Sequence, residues 1–376
     1  MLPSKITETD VIVVGGGIVG ASLAMGLNRA GKSVALLDEG DTAFRASRGN
    51  FALIWAQSKG LNFAPYASWT QRSTREWHQL SKILKDETGI DVGHRQPGGF
   101  TLCLSEKEVD ARLSKLKAFH AQPDSPHFDY EIIDHDEVRR RLPYIGKSVV
   151  GAVYSPLDGH ANPLLLMRAL QAYLVLHGGY YLPLHPVETI TSEQDGFRVK
   201  GRWGEMRAEK LVLAAGLDNK RLAPMVGLEA PVRPNRGQII VTEKAAPFLN
   251  NPMVTIRQTI EGSILIGDSQ EEKGFENVTN NGVLSVMADR AIQMFPRLKD
   301  LNVVRTWSAL RVLTPDRFPV YDETTEGPSA FVACCHSGVT LAGVHSMTLG
   351  ATMASGVPFS DEIKPFSPRR FHVHSN

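Results

Sequence analysis

The chain has 376 residues, a formal net charge of +1 and 42% hydrophobic residues. This length allows about two domains with an interior large enough to bury a ligand, and the balanced charge argues against nucleic-acid binding. After Lys5 the first ten residues contain no apolar core, so we expect neither a secretory signal nor a membrane anchor, and a cytoplasmic protein. The three cysteines, Cys103, Cys334 and Cys335, fit neither a disulfide framework nor a metal or cluster motif, so no metal site is expected.

A strand, a glycine motif and a helix follow one another between residues 10 and 38. The apolar run 11–14 predicts a buried parallel strand, and helical patterning covers 18–29. Gly15, Gly17 and Gly20 have the spacing that permits a tight turn, the approach of a pyrophosphate and close helix packing. A second strand, 33–37, ends at Asp38, whose carboxylate can hold a ribose hydroxyl. The unit predicts a dinucleotide site, whereas its glycines and short length argue against a membrane helix.

The segment 44–60 mixes polar and apolar residues in a way that is unlike a core element. Ser47, Arg48, Gly49 and Asn50 offer hydroxyl, guanidinium and amide groups with a glycine for close approach, as in a loop around a polar ligand. An ordinary basic surface loop is the alternative.

The following segments predict a discontinuous α/β domain and an α+β domain. Helices are predicted over 66–87, 105–119, 134–142, 164–177 and 281–295. The strand Lys210–Ala214 enters Ala215 and Gly216 and resumes the doubly wound pattern, whereas antiparallel strands are expected after residue 231. The expected cofactor domain comprises 8–90, 150–230 and 326–365, the substrate domain 91–149 and 231–325, and a tail 366–376.

A second strand–glycine–helix junction lies near the end of the chain. The apolar strand Ala330–Cys335 is followed by residues 336–340, HSGVT, and a helix predicted from Leu341 to Ser355. Backbone donors at a helix N-terminus suit the electron-rich edge of a ligand.

Four separated segments of the chain carry one resemblance. They are the three-glycine motif with Asp38, the turn at Asp158 and Gly159 before Pro163, residues 307–316, and residues 336–343. Together these segments resemble the D-amino-acid oxidase-like superfamily of FAD enzymes, which includes glycine oxidase and sarcosine oxidase. Within it, RGNFALIWAQSKG and CCHSGVTLAG look similar to the catalytic B (β) subunits of opine oxidases, D-hydroxyproline dehydrogenases and hydrogen cyanide synthase.

The resemblance implies FAD rather than NAD. Its adenine end is expected near Val187 and the first glycines, and its isoalloxazine ring against Ser47–Leu53 and Gly338–Leu341. Residues 308–313 lack the cysteine through which some sarcosine oxidases attach flavin, so FAD is expected to be non-covalent. The implied cofactor contacts are Gly15, Gly17, Ile18, Val19, Gly20, Asp38, Glu39, Ser47, Arg48, Gly49, Asn50, Leu53, Val187, Ala215, Gly216, Gly338, Val339, Thr340 and Leu341.

Two residues are candidates for a catalytic role. Arg311 matches the arginine that grips the substrate carboxylate in the W-x-G-L-R-P sequence of glycine oxidase-like members, although Ala309 and Val312 depart from that pattern. A structural salt bridge is the alternative for Arg311. His336 is a candidate base or, equally, a hydrogen-bonded turn histidine.

The resemblance implies oxidation of the C–N bond of a secondary or D-amino acid, such as an opine or D-hydroxyproline. Hydride transfer to flavin N5 would give an imine that water hydrolyses, and electrons would pass to partner subunits that could carry a second flavin or an iron–sulfur cluster. A stand-alone oxidase that produces hydrogen peroxide is the first alternative, and a non-catalytic flavin-binding scaffold is the second.

Overall fold

The computed structural model describes residues 7–40, 45–57, 59–267 and 269–372. Residues 44 and 58 of the predicted ligand loop, and 373–376 of the predicted tail, lie outside this description. The strands are β1 (Glu8–Val14), β2 (Val34–Leu37), β3 (Leu53–Ile54), β4 (Gly99–Cys103), β5 (Glu131–Asp134), β6 (Gly151–Ser155), β7 (Gly159–His160), β8 (Tyr180–Leu182), β9 (Thr189–Glu193), β10 (Gly196–Gly201), β11 (Gly204–Leu213), β12 (Arg233–Lys244), β13 (Ile256–Gln258), β14 (Ser263–Ile266), β15 (Val303–Leu313), β16 (Val320–Glu323) and β17 (Ala330–Cys334).

The helices cover most of the segments for which the sequence predicts them. They are α1 (Ile18–Arg29), α2 (Ala64–Thr88), α3 (Glu106–Ala121), α4 (His135–Arg141), α5 (Pro163–Leu176), α6 (Asn219–Leu222), α7 (Asn281–Met294), α8 (Gly338–Val344) and α9 (Gly350–Ser355). A π-helical turn, His345–Leu349, joins α8 to α9. Short 3-10 helices cover Gly216–Asp218, Ala223–Val226, Pro296–Asp300, Lys364–Phe366 and Pro368–Phe371.

Local signals explain several of the helix ends. The Ser105 side chain accepts a hydrogen bond from the Glu108 N–H at the start of α3, and Asn162 does the same for two N–H groups of α5, which has proline at its first position. Gly89 ends α2 in the left-handed conformation with φ of 72°.

The largest sheet is mainly parallel and supports the glycine motif. Over the described residues it has eight strands in the order β16–β17–β11–β1–β2–β8, with β10 and β9 continuing antiparallel from β11. Val11 and Val13 enter one hydrophobic cluster and Ile12 and Val14 another, so both faces of β1 are buried, as in a doubly wound sheet. The carboxyl ends of β1, β2, β11 and β17 meet at one edge, where ligands bind in such folds.

Two antiparallel sheets form the other part of the molecule. One has the order β13–β14–β12–β15 and the other β4–β6–β5. Their side chains share one core, which includes Phe100, Ile240 and Phe295. The predicted combination of an α/β part with an antiparallel α+β part is therefore present.

Two details differ from the expected domain limits. Strand β6, from a segment expected in the cofactor domain, pairs with β4 and β5, whereas β16, from the expected substrate segment, joins the parallel sheet beside β17. Strand partners are set by long-range contacts, which an apolar run does not specify.

Helices α1 and α9 cross at two glycines. A Cβ atom on Gly350 would lie 2.7 Å from the Gly26 Cα atom, so the two backbones touch. Among the helices in the described ranges, none is both long and apolar enough to cross a membrane.

Candidate active site

Two adjoining cavities lie where the carboxyl edge of the parallel sheet meets the loop 45–57 and helix α8. The first has a volume of about 310 Å³ and the second about 370 Å³. Both are lined by Ala46, Asn50, Val312, Cys335 and His336. Because they share these residues, the two cavities lie side by side as two halves of one site.

Most of the predicted cofactor residues lie around the first cavity. Its lining includes Gly15, Gly17, Ile18, Val19, Asp38, Glu39, Ser47, Arg48, Asn50, Val187, Ala215, Gly216 and Gly338. The second cavity is lined by Gly49, Asn50, Leu53, Val339 and Thr340 together with both catalytic candidates. Within the predicted set, all of which the structure describes, Gly20 and Leu341 line neither cavity.

The glycine turn after β1 leaves no room for side chains. Gly15 has φ of 105°, and a Cβ atom there would lie 2.5 Å from the Ala214 carbonyl oxygen. A Cβ atom on Gly20 would lie 1.8 Å from the Gly15 carbonyl oxygen, so Gly20 serves the packing of helix on strand. The α1 N-cap, Gly17, provides no side-chain cap, and the Ile18 N–H donates to Ser47 Oγ at 2.9 Å. The start of α1 therefore borders the cavity with its partial positive charge, while the Ile18 N–H is engaged by Ser47.

Acidic groups stand at the end of β2. The Asp38 carboxylate accepts hydrogen bonds from the N–H groups of Gly16 at 2.7 Å and Gly40 at 2.9 Å. Glu39 forms an ion pair with Arg45. Asp38 is thus fixed against the glycine turn, at the position where an acidic residue holds a ribose in dinucleotide folds.

The far wall of the first cavity comes from the β8–β9 connection and the end of β11. The Val187 carbonyl accepts a hydrogen bond from Arg221 Nη2 at 2.8 Å. The Ala215 N–H donates to Asn219 Oδ1 at 2.9 Å, and Gly216 follows with φ of 62°. These bonds hold the backbone of the wall in place.

Helix α8 begins earlier than its glycine-rich sequence suggests. It starts at Gly338 instead of Leu341, and its N-cap Ser337 makes no side-chain capping bond. A Cβ atom on Gly338 would lie 3.2 Å from Val19 Cγ2, so the two helix N-termini approach each other closely. The partial positive charges of both N-termini therefore lie at the same site.

Thr340 connects α8 to the loop over the second cavity. Its Oγ1 donates to the Leu53 carbonyl at 3.1 Å and accepts from the Trp55 N–H at 3.2 Å. The buried Asp158 lies between β6 and β7. Its carboxylate accepts hydrogen bonds from the N–H groups of Ala56 and Gln57, at the end of the loop. Burial raises the pKa of Asp158 to about 7.

Arg311 lies on β15 and lines the second cavity. Its Nη1 atom donates to the Ser269 carbonyl at 2.7 Å and, at 3.3 Å, to Asn235 Oδ1 and the Arg236 carbonyl. Gly237 on the neighbouring strand makes space for the guanidinium, because a Cβ atom there would lie 2.3 Å from Nη1. The position of Arg311 is therefore determined by β12 as well as by its own strand.

His336 contributes to the walls of both cavities. Burial lowers its pKa well below the usual value, and the positive charges of Lys59, Arg311 and Arg317 lower it further. The imidazole is consequently neutral near pH 7, a state that can accept a proton but binds it weakly.

The cysteines near the site are protonated thiols. Burial raises the pKa of Cys334 and of Cys335 to about 12. Among the residues that the structure describes, no three His, Cys, Asp or Glu side chains are grouped so that they could hold a metal ion.

Several residues of the second cavity had no role assigned from the sequence, among them Lys59, Arg112 and Gly237. Lys59 Nζ donates to Ser337 Oγ at 2.8 Å and so contacts the start of α8. A glycine inside a strand can indicate that another group approaches closely, which was an available signal for Gly237. Arg112 gave no signal, since it belongs to a charged helix of ordinary composition.

The residues present fit FAD. A glycine turn with no space for a side chain, the N-terminus of α1, a carboxylate at the end of β2 and the N-terminus of α8 border the two cavities. Together they suit a phosphate, a ribose and an electron-rich ring.

Comparisons with known proteins identify the family. The sequence matches the family DAO, FAD dependent oxidoreductase, over residues 10–351. It is 44% identical over 366 residues to the B subunit of an opine oxidase from Agrobacterium tumefaciens strain Ach5, which covers 97% of this chain and 98% of that protein. It is 27% identical over 411 residues to the HcnC subunit of the hydrogen cyanide synthase from Pseudomonas aeruginosa, with 96% of each chain covered. The fold matches a crystal structure of glycine oxidase from Geobacillus kaustophilus with a TM-score of 0.86 and 24% identity, covering 98% of this chain and 100% of that chain.

These matches confirm the resemblance inferred from the four segments, the two-part fold and FAD as the cofactor. The individual roles of the site residues and the domain limits stay predictions. The family match spans most of the chain, and so this protein belongs to the D-amino-acid oxidase (DAO) family of FAD-dependent oxidoreductases.

Proposed function

We propose that this chain is the FAD-bearing subunit of an amino-acid dehydrogenase that oxidises the C–N bond of an opine or a similar secondary or D-amino acid. The observation that carries the proposal is the position of Arg311, which lines a cavity that shares part of its wall with the dinucleotide cavity. A guanidinium suits a substrate carboxylate because it can form two parallel hydrogen bonds with it.

FAD, when bound, supplies the acceptor for two electrons and a proton. The chain's own part is to bind and orient the substrate and to exclude water. Arg311 anchors the carboxylate, and Gly237 leaves room for the guanidinium because it has no Cβ atom. Helix α8 directs the N–H groups of its first turn, at Gly338 and Val339, toward developing negative charge.

His336 serves best as a neutral hydrogen-bonding group in this proposal. Its lowered pKa makes it a weak base, and a substrate amine that binds without a proton needs no base. The amine is more readily neutral here because Lys59 and Arg311 place positive charge near the cavity.

The relatives suggest how electrons leave. The 44% identical protein is named as one of the subunits of an opine oxidase, which supports transfer through partner subunits. A stand-alone oxidase is the second candidate, because this chain is also 26% identical over 369 residues to a protein named glycine oxidase from Geobacillus kaustophilus.

The test is anaerobic titration of the purified FAD-loaded chain with octopine, nopaline, D-hydroxyproline, sarcosine and glycine, followed by absorbance of the flavin. We expect bleaching by at least one secondary amino acid. Reduced flavin that persists in air and is reoxidised by an artificial dye supports a dehydrogenase that relies on partner subunits, whereas rapid reoxidation with release of peroxide supports the oxidase. A fully FAD-loaded chain that none of these compounds bleaches would contradict the proposal and favour a scaffold.

Arg311→Ala tests the anchor in the same assay. Two charge-assisted hydrogen bonds are worth about 3 kcal/mol, so the reduction rate divided by the substrate dissociation constant should fall about 100-fold. Arg305→Ala is the matched control, because it removes the same charge from an exposed position of the same strand. Equal effects of the two variants would remove Arg311 from its proposed role.

A further inference from the structure

Arg112 lies on α3, far in sequence from the glycine motif, and its side chain lines the second cavity. It is the only residue of α3, among those described, that does so. The side chain is partly buried, and the cavity it borders also contains Arg311 and Lys59.

The usual partner of Arg112 is engaged elsewhere. Glu108 precedes Arg112 by one helical turn, an arrangement that normally gives an ion pair. Here Arg290 of α7 binds both Glu108 carboxylate oxygens, at 2.9 and 2.8 Å, and the Leu104 N–H donates to one of them at 2.9 Å. Within the described part of the chain, Arg112 is left without a hydrogen bond or ion pair, and its charge acts on Glu108 only from a distance, where it helps to lower the pKa of that carboxyl.

The described lining of the second cavity is positively charged. It includes the cations Lys59, Arg112 and Arg311 and no Asp or Glu. The influence of Lys59 and Arg311 on the pKa of His336 shows that their charges act inside the site. A ligand with one carboxylate, held by Arg311, would leave Arg112 without a hydrogen-bonded anion among the described residues.

We propose that Arg112, assisted by Lys59, binds a second substrate carboxylate, so that the preferred substrate is a secondary amine that carries a carboxylate on each side of its nitrogen. N-(carboxyalkyl) amino acids, the class that includes opines, have this arrangement. The inference rests on the proposed function, because it takes Arg311 as the anchor of the first carboxylate.

Two thioethers measure this selectivity without turnover. Thiodiacetate has a carboxymethyl group on each side of sulfur, whereas (methylthio)acetate lacks one carboxylate, and neither has a C–N bond to oxidise. Each is titrated into the FAD-loaded chain, and the shift of the flavin absorbance gives its dissociation constant. We expect wild type to bind thiodiacetate more tightly than (methylthio)acetate.

Arg112→Gln should weaken thiodiacetate at least tenfold and change (methylthio)acetate less than twofold. Lys115→Gln is the control, since it removes a cation from an exposed position of the same helix that does not line the cavity. Arg112→Lys, which keeps the charge, should recover part of the affinity and provides the test if Arg112→Gln does not fold. An equal loss for both ligands, or no loss for either, overturns the inference.

A parallel comparison of flavin reduction by iminodiacetate and sarcosine separates this inference from the proposed function. If neither amine nor any opine reduces the flavin, the proposed function fails, while the thioether titration still decides the role of Arg112. If both reduce it and Arg112→Gln slows them by the same factor, the proposed function stands and the second carboxylate site does not.

Discussion

The two halves of the site are built in different ways. The first cavity is lined mainly by residues of a few consecutive segments, such as Gly15–Val19, and Gly15 in its wall has no room for a Cβ atom. The second is formed by side chains from separate elements, with Lys59 before α2, Arg112 on α3 and Arg311 on β15. The cofactor half should therefore be sensitive to added atoms, and the substrate half to lost or displaced charges.

The largest expected effect is that of a single methyl group in the cofactor half. Gly15→Ala combines backbone strain of about 1–3 kcal/mol with a contact 2.5 Å from the Ala214 carbonyl oxygen. The purified variant should contain almost no FAD, measured as the ratio of flavin to protein absorbance.

Gly31→Ala is the matched control for this substitution. Gly31 also has a positive φ, of 84°, but a Cβ atom there would meet nothing within 4 Å. It should lose some stability through strain and retain FAD. Stoichiometric FAD in Gly15→Ala would show that the cofactor half tolerates added atoms and would break the comparison.

A smaller effect is expected when a methyl group is added to the substrate half. Gly237→Ala would place a Cβ atom 2.3 Å from Arg311 Nη1 and displace the guanidinium. Displacement of the anchor should cost about 3 kcal/mol of substrate interaction, or about 100-fold in the reduction rate over the dissociation constant, with FAD content unchanged.

The double variant Gly237→Ala/Arg311→Ala shows whether Gly237 acts through Arg311. If it does, the double variant is no worse than Arg311→Ala alone, because the two changes remove one interaction. Losses that add up would assign Gly237 an independent role.

The smallest effect concerns the π-helical turn that follows α8. His345 is completely buried, its ring bonds the Tyr321 hydroxyl at 2.8 Å, and burial lowers its pKa to about 3. Because the unfolded histidine titrates near 6.5, only the unfolded chain takes up this proton between pH 6.5 and about 3. The stability contribution is thus present above pH 6.5 and is lost as the pH falls, by about 1.4 kcal/mol per pH unit.

His345→Gln should remove that contribution. Urea unfolding at several pH values between 5 and 7 gives the free energy of unfolding. This free energy should fall less steeply with decreasing pH in the variant, and the difference between the two slopes should correspond to at most one proton. Parallel pH dependences of the two proteins would show that His345 does not titrate in this way.

The cofactor half could be predicted because its signals are local. The strand, the glycine spacing, the helix and Asp38 occupy one continuous segment, and each has its physical reason within that segment. The start of α8 was placed three residues too late because glycine is a poor helix former, so the sequence at Gly338 favours a loop.

The substrate half depends on contacts between distant residues. The helical spacing of Glu108 and Arg112 predicts an ion pair between them. In the fold, Arg290, which is 182 positions from Glu108, binds the Glu108 carboxylate instead of Arg112. The partners of β6 were missed for the same reason, since its buried residues fit a parallel or an antiparallel sheet equally well.

The contact between Gly26 and Gly350 joins the beginning of the chain to its end. The glycine turn leaves the ribosome early, whereas Cys334, His336 and Gly338, which line the same cavity, are made after most of the chain. Folding during synthesis proceeds from the N-terminal side, so α1 is made long before the α9 residues that it contacts. A cavity with both Gly15 and Gly338 in its wall is complete only once α8 has packed beside α1, so we expect FAD to bind a chain that already includes α8.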